Sequence, residues 1–264
     1  MYWYDGRLVD RETISLNISE PGLIYGATVF TTMRVYQHSL THPLSHWQSH
    51  CDRLKQSIIS FGWQQPDWQR LKTGVTSLLT YFPVIRIVIF PDGTEWITGR
   101  QLSSDLTTKQ LKGITAWIAT EGIYRRHLSS HKTGNYLGAY LALQKARQLQ
   151  AQEAILIDSQ ANWLETSTGN LWGYKNGCWY TPALKTGILP GIARSHLLIW
   201  LQTQAIPVQE NIWTPDFVTD LEAIAYSNCV VEIIPIKAIS GLTPKKSEQL
   251  LTIELQDLSR YFQI

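Results

Sequence analysis

Strand-like apolar patterning opens and closes the first hundred residues, with two stretches of helical spacing between. The opening M-Y-W-Y-D-G-R-L-V predicts a hairpin turning on Asp5-Gly6. The segment G-L-I-Y-G-A-T-V-F-T-T-M-R-V-Y (22–36), rich in β-branched and aromatic residues, predicts one long strand. From Leu44 to about Gly62 the apolar residues recur at helical spacing, and Pro66-Asp67 opens a second predicted helix running to about Phe82. The strands V-I-R-I-V-I-F and T-E-W-I-T-G, joined by a Pro91-Asp92-Gly93 turn, complete an α+β unit of about 100 residues, an ordinary domain size. The polar stretch Q-L-S-S-D-L-T-T-K-Q-L-K-G (101–113) reads as a linker, which divides the chain into a small domain over 1–112 and a larger one over 113–264.

The second half alternates strand and helix. The strand I-T-A-W-I-A-T is followed by H-K-T-G-N-Y-L, which runs on into an Ala/Leu-rich helix. The strand E-A-I-L-I-D comes next, then a hairpin whose arms N-L-W-G-Y-K and C-W-Y-T-P flank Asn176-Gly177. Glu165 is expected on the loop entering that hairpin. After G-I-L-P-G a helix (I-A-R-S-H-L-L-I-W-L-Q) leads to the strands A-I-A-Y-S-N and I-I-P-I-K-A-I, and an amphipathic helix follows near the C-terminus.

Composition narrows the classes. A hydrophobic share of 44% over 264 residues supports a packed core. The 23 basic and 21 acidic residues form no basic run, which argues against a nucleic-acid partner and leaves a small-molecule substrate. With only 17% charged residues but 11 Trp and 12 Tyr, much aromatic surface must be buried in cores, pockets or a subunit interface, so a homo-oligomer is expected. Cys51, Cys178 and Cys229 are odd in number and widely spaced, which predicts neither a disulfide framework nor a zinc site. His46 and His50 lie one helical turn apart without a third ligand nearby, so no metal is expected. Charges occupy the N-terminus where a signal peptide needs an apolar stretch, and no run reaches membrane-spanning length; a cytoplasmic location is the expectation.

Five segments carry candidate chemistry. Lys132, just ahead of a helix, is a candidate amine nucleophile, a role that requires desolvation or neighbouring cations to keep the amine neutral. Glu165 in L-E-T-S-T-G-N-L-W is a carboxylate able to keep a pyridine nitrogen protonated. T-G-I-L-P-G-I-A-R-S opens a helix at Ile192-Ala193, whose free N–H groups suit a phosphate, and A-Y-S-N-C adds the Ser227 hydroxyl. Arg53, in H-W-Q-S-H-C-D-R-L, can meet a phosphate dianion bidentately. Singly each has an ordinary structural reading; together they describe a pyridoxal phosphate site.

In this order, Y-G-A-T-V-F-T-T-M-R-V-Y, H-C-D-R-L, H-K-T-G-N-Y-L, E-T-S-T-G-N-L-W, G-I-L-P-G-I-A-R and A-Y-S-N with I-I-P-I resemble the fold-type IV, or class IV, pyridoxal phosphate enzymes. That family includes branched-chain aminotransferases, D-amino acid aminotransferases and 4-amino-4-deoxychorismate lyases. The resemblance implies a mixed α/β fold with a small N-terminal α/β domain and a larger, β-barrel-like C-terminal domain that binds the cofactor, and a homodimer. It implies that Lys132 bonds the cofactor aldehyde, Glu165 partners the pyridine nitrogen, and Leu189 packs on the ring. Arg53, Asn170, Ser227 and the amides of Ile192 and Ala193 would complete the cofactor site.

Within the family, F-T-T-M-R at 30–34 resembles the lyases, whereas the aminotransferases resemble F-E-G-I-R or Y-E-V-I-R there. The spacing K-x-x-N from Lys132 to Asn135 fits the lyase and D-amino acid aminotransferase branches. The implied reaction converts 4-amino-4-deoxychorismate to 4-aminobenzoate and pyruvate, a folate-precursor step. Lys132 would be the base, and Thr31 or Thr32 would orient or protonate the leaving enolpyruvate. Alternatives are an aminotransferase of the same family or a catalytically silent pyridoxal phosphate-binding protein. Departures stand at Y-G-A-T, where members often read Y-G-D-G, and at G-I-A-R, where they often read G-I-T-R, leaving Ala193 without a hydroxyl. The Arg-Gly pair that related enzymes often carry after the strand is replaced by I-R-I-V-I-F-P-D-G. Arg34, Arg86, Arg125 and Arg126 are the candidate carboxylate partners, and Arg125-Arg126 reads equally as a hydrated surface pair.

Overall fold

Glu20 and Pro21, just ahead of the segment predicted as one long strand (22–36), turn its first residues into a helix. In the computed structural model, which describes residues 1–240 and 250–263, the Glu20 carboxylate accepts the Gly22 N–H at 3.0 Å. Pro21 fills the first helical position, so residues 21–24 turn into a short helix and extended chain begins only at Val29. The chain divides into two units, Met1–Ser103 with His131–Asn135, and Ser104–Ser130 with Tyr136–Ile264.

The first unit contains β1 (Tyr2–Tyr4), β2 (Arg7–Val9), α1 (Pro21–Ile24), β3 (Val29–Arg34), α2 (Trp47–Phe61), α3 (Trp68–Leu79), β4 (Val84–Ile89) and β5 (Glu95–Arg100). Its sheet has the order β2-β1-β5-β4-β3 and is antiparallel throughout. The predicted hairpin on Asp5-Gly6 joins β1 to β2. Asp67 caps α3 by accepting the N–H groups of Gln69 and Arg70 at 2.9 and 3.0 Å. Alternate residues of β3, Val29 and Met33, join Leu54 and Ile58 of α2 and Leu71, Val75 and Leu78 of α3 in one core. Cys51 is buried on α2, and burial pushes its thiol up to about 11. A thiol-alkylating reagent at pH 8 should therefore label the half-buried Cys229 well before Cys51 or the buried Cys178, as peptide mass mapping would read; fast labelling of Cys51 would contradict this packing.

The second unit comprises α4 (Leu106–Lys112), β6 (Ile114–Ala119), α5 (Leu137–Gln148), β7 (Glu153–Ile157), β8 (Trp163–Thr166), β9 (Asn170–Lys175), β10 (Cys178–Pro182), α6 (Ile192–Thr203), β11 (Val208–Asn211), α7 (Pro215–Thr219), β12 (Ala223–Asn228), β13 (Glu232–Ser240) and α8 (Leu250–Arg260). Eight strands follow the order β11-β10-β9-β12-β13-β6-β7-β8. The two edges come together where the Trp163 N–H donates to the Trp213 carbonyl at 2.8 Å, beside an isolated antiparallel bridge, so the sheet curls nearly closed. This is the mixed α/β fold with a barrel-like sheet that the resemblance implies.

Two expectations change here. The polar stretch read as a linker forms α4, which packs on β13: Leu106 is buried and Gln110 donates to the Val231 carbonyl at 3.0 Å. A helix that buries so few side chains leaves almost no apolar periodicity to read. Glu165 sits on a strand, β8, not on a loop, because the flanking Trp163 and Thr166 are buried in the sheet. No helix among the described residues is long and apolar enough to cross a membrane.

Candidate active site

In the first unit, the Lys132 segment runs along the outer side of β3. The Phe30 N–H donates to the Lys132 carbonyl at 2.8 Å, Val29 bridges Thr133, and the Gly134 N–H donates to the Thr28 carbonyl at 2.7 Å. A main-chain ladder therefore fixes where the lysine leaves the backbone. Its Nζ lies 4.8 Å from the centroid of the Phe30 ring, and the Arg86 guanidinium on β4 lies 3.8 Å from the same centroid. Phe30 itself is buried. His131 ties the segment to α2, with Nδ1 at 3.0 Å from the Ser57 hydroxyl and its ring 4.7 Å from that of Phe61.

Strand alternation separates the two threonines. Thr31 lies on the core face with Val29 and Met33, with no exposed surface. Its hydroxyl accepts from Arg53 Nη2 at 2.7 Å and lies 2.5 Å from His50 Nδ1. Arg53 and His50 are one helical turn apart on α2, so the strand and the helix meet through this hydroxyl. Thr32 is half-buried on the opposite face with Phe30 and Arg34, and pairs across the sheet with Arg86. That face carries Arg34, Arg86 and Lys132. The sequence could have signalled the His50 contact through H-C-D-R, which puts the imidazole on the same side of α2 as Arg53.

In the second unit, Glu165 is held at both oxygens. Oε1 pairs with Arg126, whose side chain is 8% exposed against 5% for Glu165, and Oε2 accepts the Leu189 N–H at 3.1 Å. Arg126 is thus neither a hydrated surface group nor a group held open for a substrate carboxylate; the pattern R-R-H could not show a carboxylate 39 residues away. Tyr136, 5.7 Å from the Arg126 guanidinium, donates its hydroxyl to the Ser167 carbonyl. Asn170 donates to the Leu189 carbonyl at 2.9 Å, so the G-I-L-P-G loop hangs from Glu165 and Asn170 together.

That loop delivers the α6 N-terminus. Gly191 is its N-cap without any side-chain cap bond, and a Cβ at Gly191 would collide with the Asn170 side-chain oxygen, so only glycine fits. Ile192 and Ala193 form the buried first turn of this 12-residue helix, and amides at such a terminus suit an anion. Ser227 is fully buried at the end of β12, and its oxygen accepts the Trp172 indole N–H at 2.9 Å, which leaves the hydroxyl proton available to donate elsewhere. These groups of the second unit fit pyridoxal phosphate: amides and a hydroxyl for the phosphate, and a carboxylate paired with an arginine for the ring nitrogen.

A sheet edge that presents a lysine, and a nearly closed eight-stranded sheet with a buried Glu–Arg pair and an uncapped helix N-terminus, define a fold-type IV enzyme. The chain belongs to the amino-transferase class IV family of pyridoxal phosphate-dependent enzymes, whose sequence profile matches residues 28–239. It is similar to a branched-chain-amino-acid aminotransferase of Pseudomonas aeruginosa, at 25% identity over 90% of this chain and 84% of the relative. An aminodeoxychorismate lyase of Vibrio harveyi is 22% identical over 91% of this chain and 92% of its own length. Among solved structures, the branched-chain aminotransferase of Thermoproteus uzoniensis superposes with a TM-score of 0.82 at 23% identity, covering 99% of this chain and 93% of that one.

Proposed function

We propose that the protein binds pyridoxal phosphate and is a lyase converting 4-amino-4-deoxychorismate to 4-aminobenzoate and pyruvate. The observation that carries this reading is the division of F-T-T-M-R: one threonine, Thr32, shares a face with Phe30 and the cations Arg34 and Arg86, while Thr31 is committed to Arg53 and His50. A hydroxyl beside cations suits a dianionic substrate whose leaving group needs a proton.

When bound, the cofactor supplies an electron sink. Lys132 would provide its covalent anchor and, once the substrate amine has taken over that bond, would as the released amine remove the proton from the ring carbon that bears the substrate nitrogen. Glu165, paired with Arg126, would hold a proton on the pyridine nitrogen. Thr32 donates a proton to the departing enolpyruvyl oxygen, and the six-membered ring becomes aromatic. Arg34 and Arg86 pair with the substrate carboxylates. The Ile192 and Ala193 amides, the Ser227 hydroxyl and Arg53 take the phosphate; Asn170 and Leu189 hold the ring side of the site. In this reading Thr31 positions Arg53.

Similarity to a branched-chain aminotransferase favours a second reading, in which the same Lys132 and Glu165 exchange amino groups. The two separate in one experiment. Cofactor-loaded protein supplied with 4-amino-4-deoxychorismate should release 4-aminobenzoate and pyruvate in equal amounts; no product would overturn the lyase. Stoichiometric conversion of the bound cofactor to pyridoxamine phosphate by D-alanine or a branched-chain amino acid would favour the second reading. Thr32→Val should lower kcat by about 100-fold with little change in cofactor affinity, the scale of one proton-transfer group. Thr31→Val should instead weaken cofactor binding. We also propose a cytoplasmic homodimer, supported by the exposed Leu23, Ile24 and Tyr25; sedimentation at monomer mass would refute it.

A further inference from the structure

Beneath the turn that joins β8 to β9 lies a carboxylate with no part in the chemistry above. Glu153 opens β7 and is 2% exposed. Its Oε1 accepts the Ser167 hydroxyl and, at 2.9 Å, the Ala154 N–H; its Oε2 accepts the Thr168 hydroxyl at 2.5 Å. The Ser167 N–H donates to the Ala154 carbonyl at 2.8 Å, so backbone and side chain of one strand end grip the same turn. From the other side, Tyr136 donates to the Ser167 carbonyl and Asn228 to the Thr168 carbonyl at 3.2 Å. Gly169 donates to the Thr166 hydroxyl at 2.9 Å, and a Cβ there would strike the Ser227 carbonyl.

The turn's two exits are Glu165, one residue before Thr166, and Asn170, one residue after Gly169. We propose that Glu153 is a positioning residue of the cofactor site: acting through Ser167 and Thr168, it fixes this turn so that Glu165 and Asn170 stand at one set separation. The inference rests on the pyridoxal phosphate reading above. Among the described residues no basic side chain pairs with Glu153, and burial raises its pKa above the usual carboxylate range. A buried acid with hydroxyl partners is a costly way to fill a core, where an apolar residue would serve stability better. What it provides that an apolar side chain cannot is two directed bonds to adjacent residues of one turn.

The test uses the full chain, apo and loaded with pyridoxal phosphate, in Glu153→Gln, Thr168→Val and the double variant. Glutamine offers one acceptor oxygen where glutamate offers two, so one hydroxyl loses its partner. Expected for Glu153→Gln are a Kd for pyridoxal phosphate raised about tenfold, as for a lost buried hydrogen bond, and a displaced absorption band of the bound cofactor. Amide hydrogen exchange in the apo protein should quicken at residues 165–170 and not elsewhere. The double variant should lose less than the product of the single effects, because both act on one contact. Should Glu153→Gln fail to fold, Ser167→Ala and Thr168→Val each remove one arm and carry the same expectation. Wild-type affinity, band and exchange at 165–170, with only a lower melting temperature, would overturn the positioning role. Failure of the wild type itself to take up pyridoxal phosphate would overturn the cofactor reading, and the inference with it.

Discussion

Lys132→Ala should abolish turnover, by about 10,000-fold or more, while leaving the fold intact. The size follows from the number of tasks the proposed function gives the amine: it would anchor the cofactor and serve as the base, and each of the two is worth orders of magnitude. The fold should survive because the segment is fixed by its backbone, through the Phe30, Val29 and Gly134 contacts. Unfolding midpoints of the apo proteins should therefore coincide. Lys132→Arg keeps the cation over Phe30 but supplies no nucleophile, and should be equally inactive. Borohydride treatment of loaded protein followed by peptide mapping should find the cofactor mass on the Lys132 peptide of the wild type and on no peptide of either variant. Residual activity above a hundredth of wild type in Lys132→Ala would remove the lysine from the centre of the reaction.

Arg126→Met should be the most destabilising single change at the site, about 3–5 kcal/mol, the usual cost of leaving one member of a buried ion pair unpaired. Both side chains are nearly enclosed, and the Leu189 N–H on the other oxygen does not replace the arginine's charge. The denaturant midpoint reads the loss. Adding Glu165→Gln to the methionine variant should recover much of the stability, since no charge is then stranded, but not cofactor function, since an amide cannot hold the pyridine proton. If Arg126→Met melts like the wild type, the pair is not the closed contact described here.

Much of this was legible in the sequence wherever a short stretch encodes its own geometry. Asp5-Gly6 and Asn176-Gly177 announce their hairpins, Pro66-Asp67 its helix start, and K-T-G-N-Y and G-I-L-P-G-I-A-R their family. Glu20-Pro21 was equally local, yet the β-rich run that follows outweighed it. What escaped was set by partners distant in the chain. Arg126 shows no sign of Glu165, nor Glu153 of Ser167 and Thr168, because ion pairs and hydrogen bonds across strands leave no periodicity. β8 escaped because it is only four residues long, too short for an alternation to show, although it pairs with the nearby β7, Trp163 opposite Ile157. The choice between Thr31 and Thr32 needed only the strand's phase, which a sequence with two adjacent threonines does not supply.

Residues 131–135 belong to the first unit although sequence on both sides of them belongs to the second. The polypeptide therefore passes from one unit to the other three times, at 103/104, 130/131 and 135/136. Severing it at 103/104 would yield a fragment that carries Lys132 without the β3 edge that orients it, and another that retains the edge with nothing to orient. For anyone dissecting this enzyme into pieces, Lys132 together with the β3 edge that holds it cannot be inherited by either half alone.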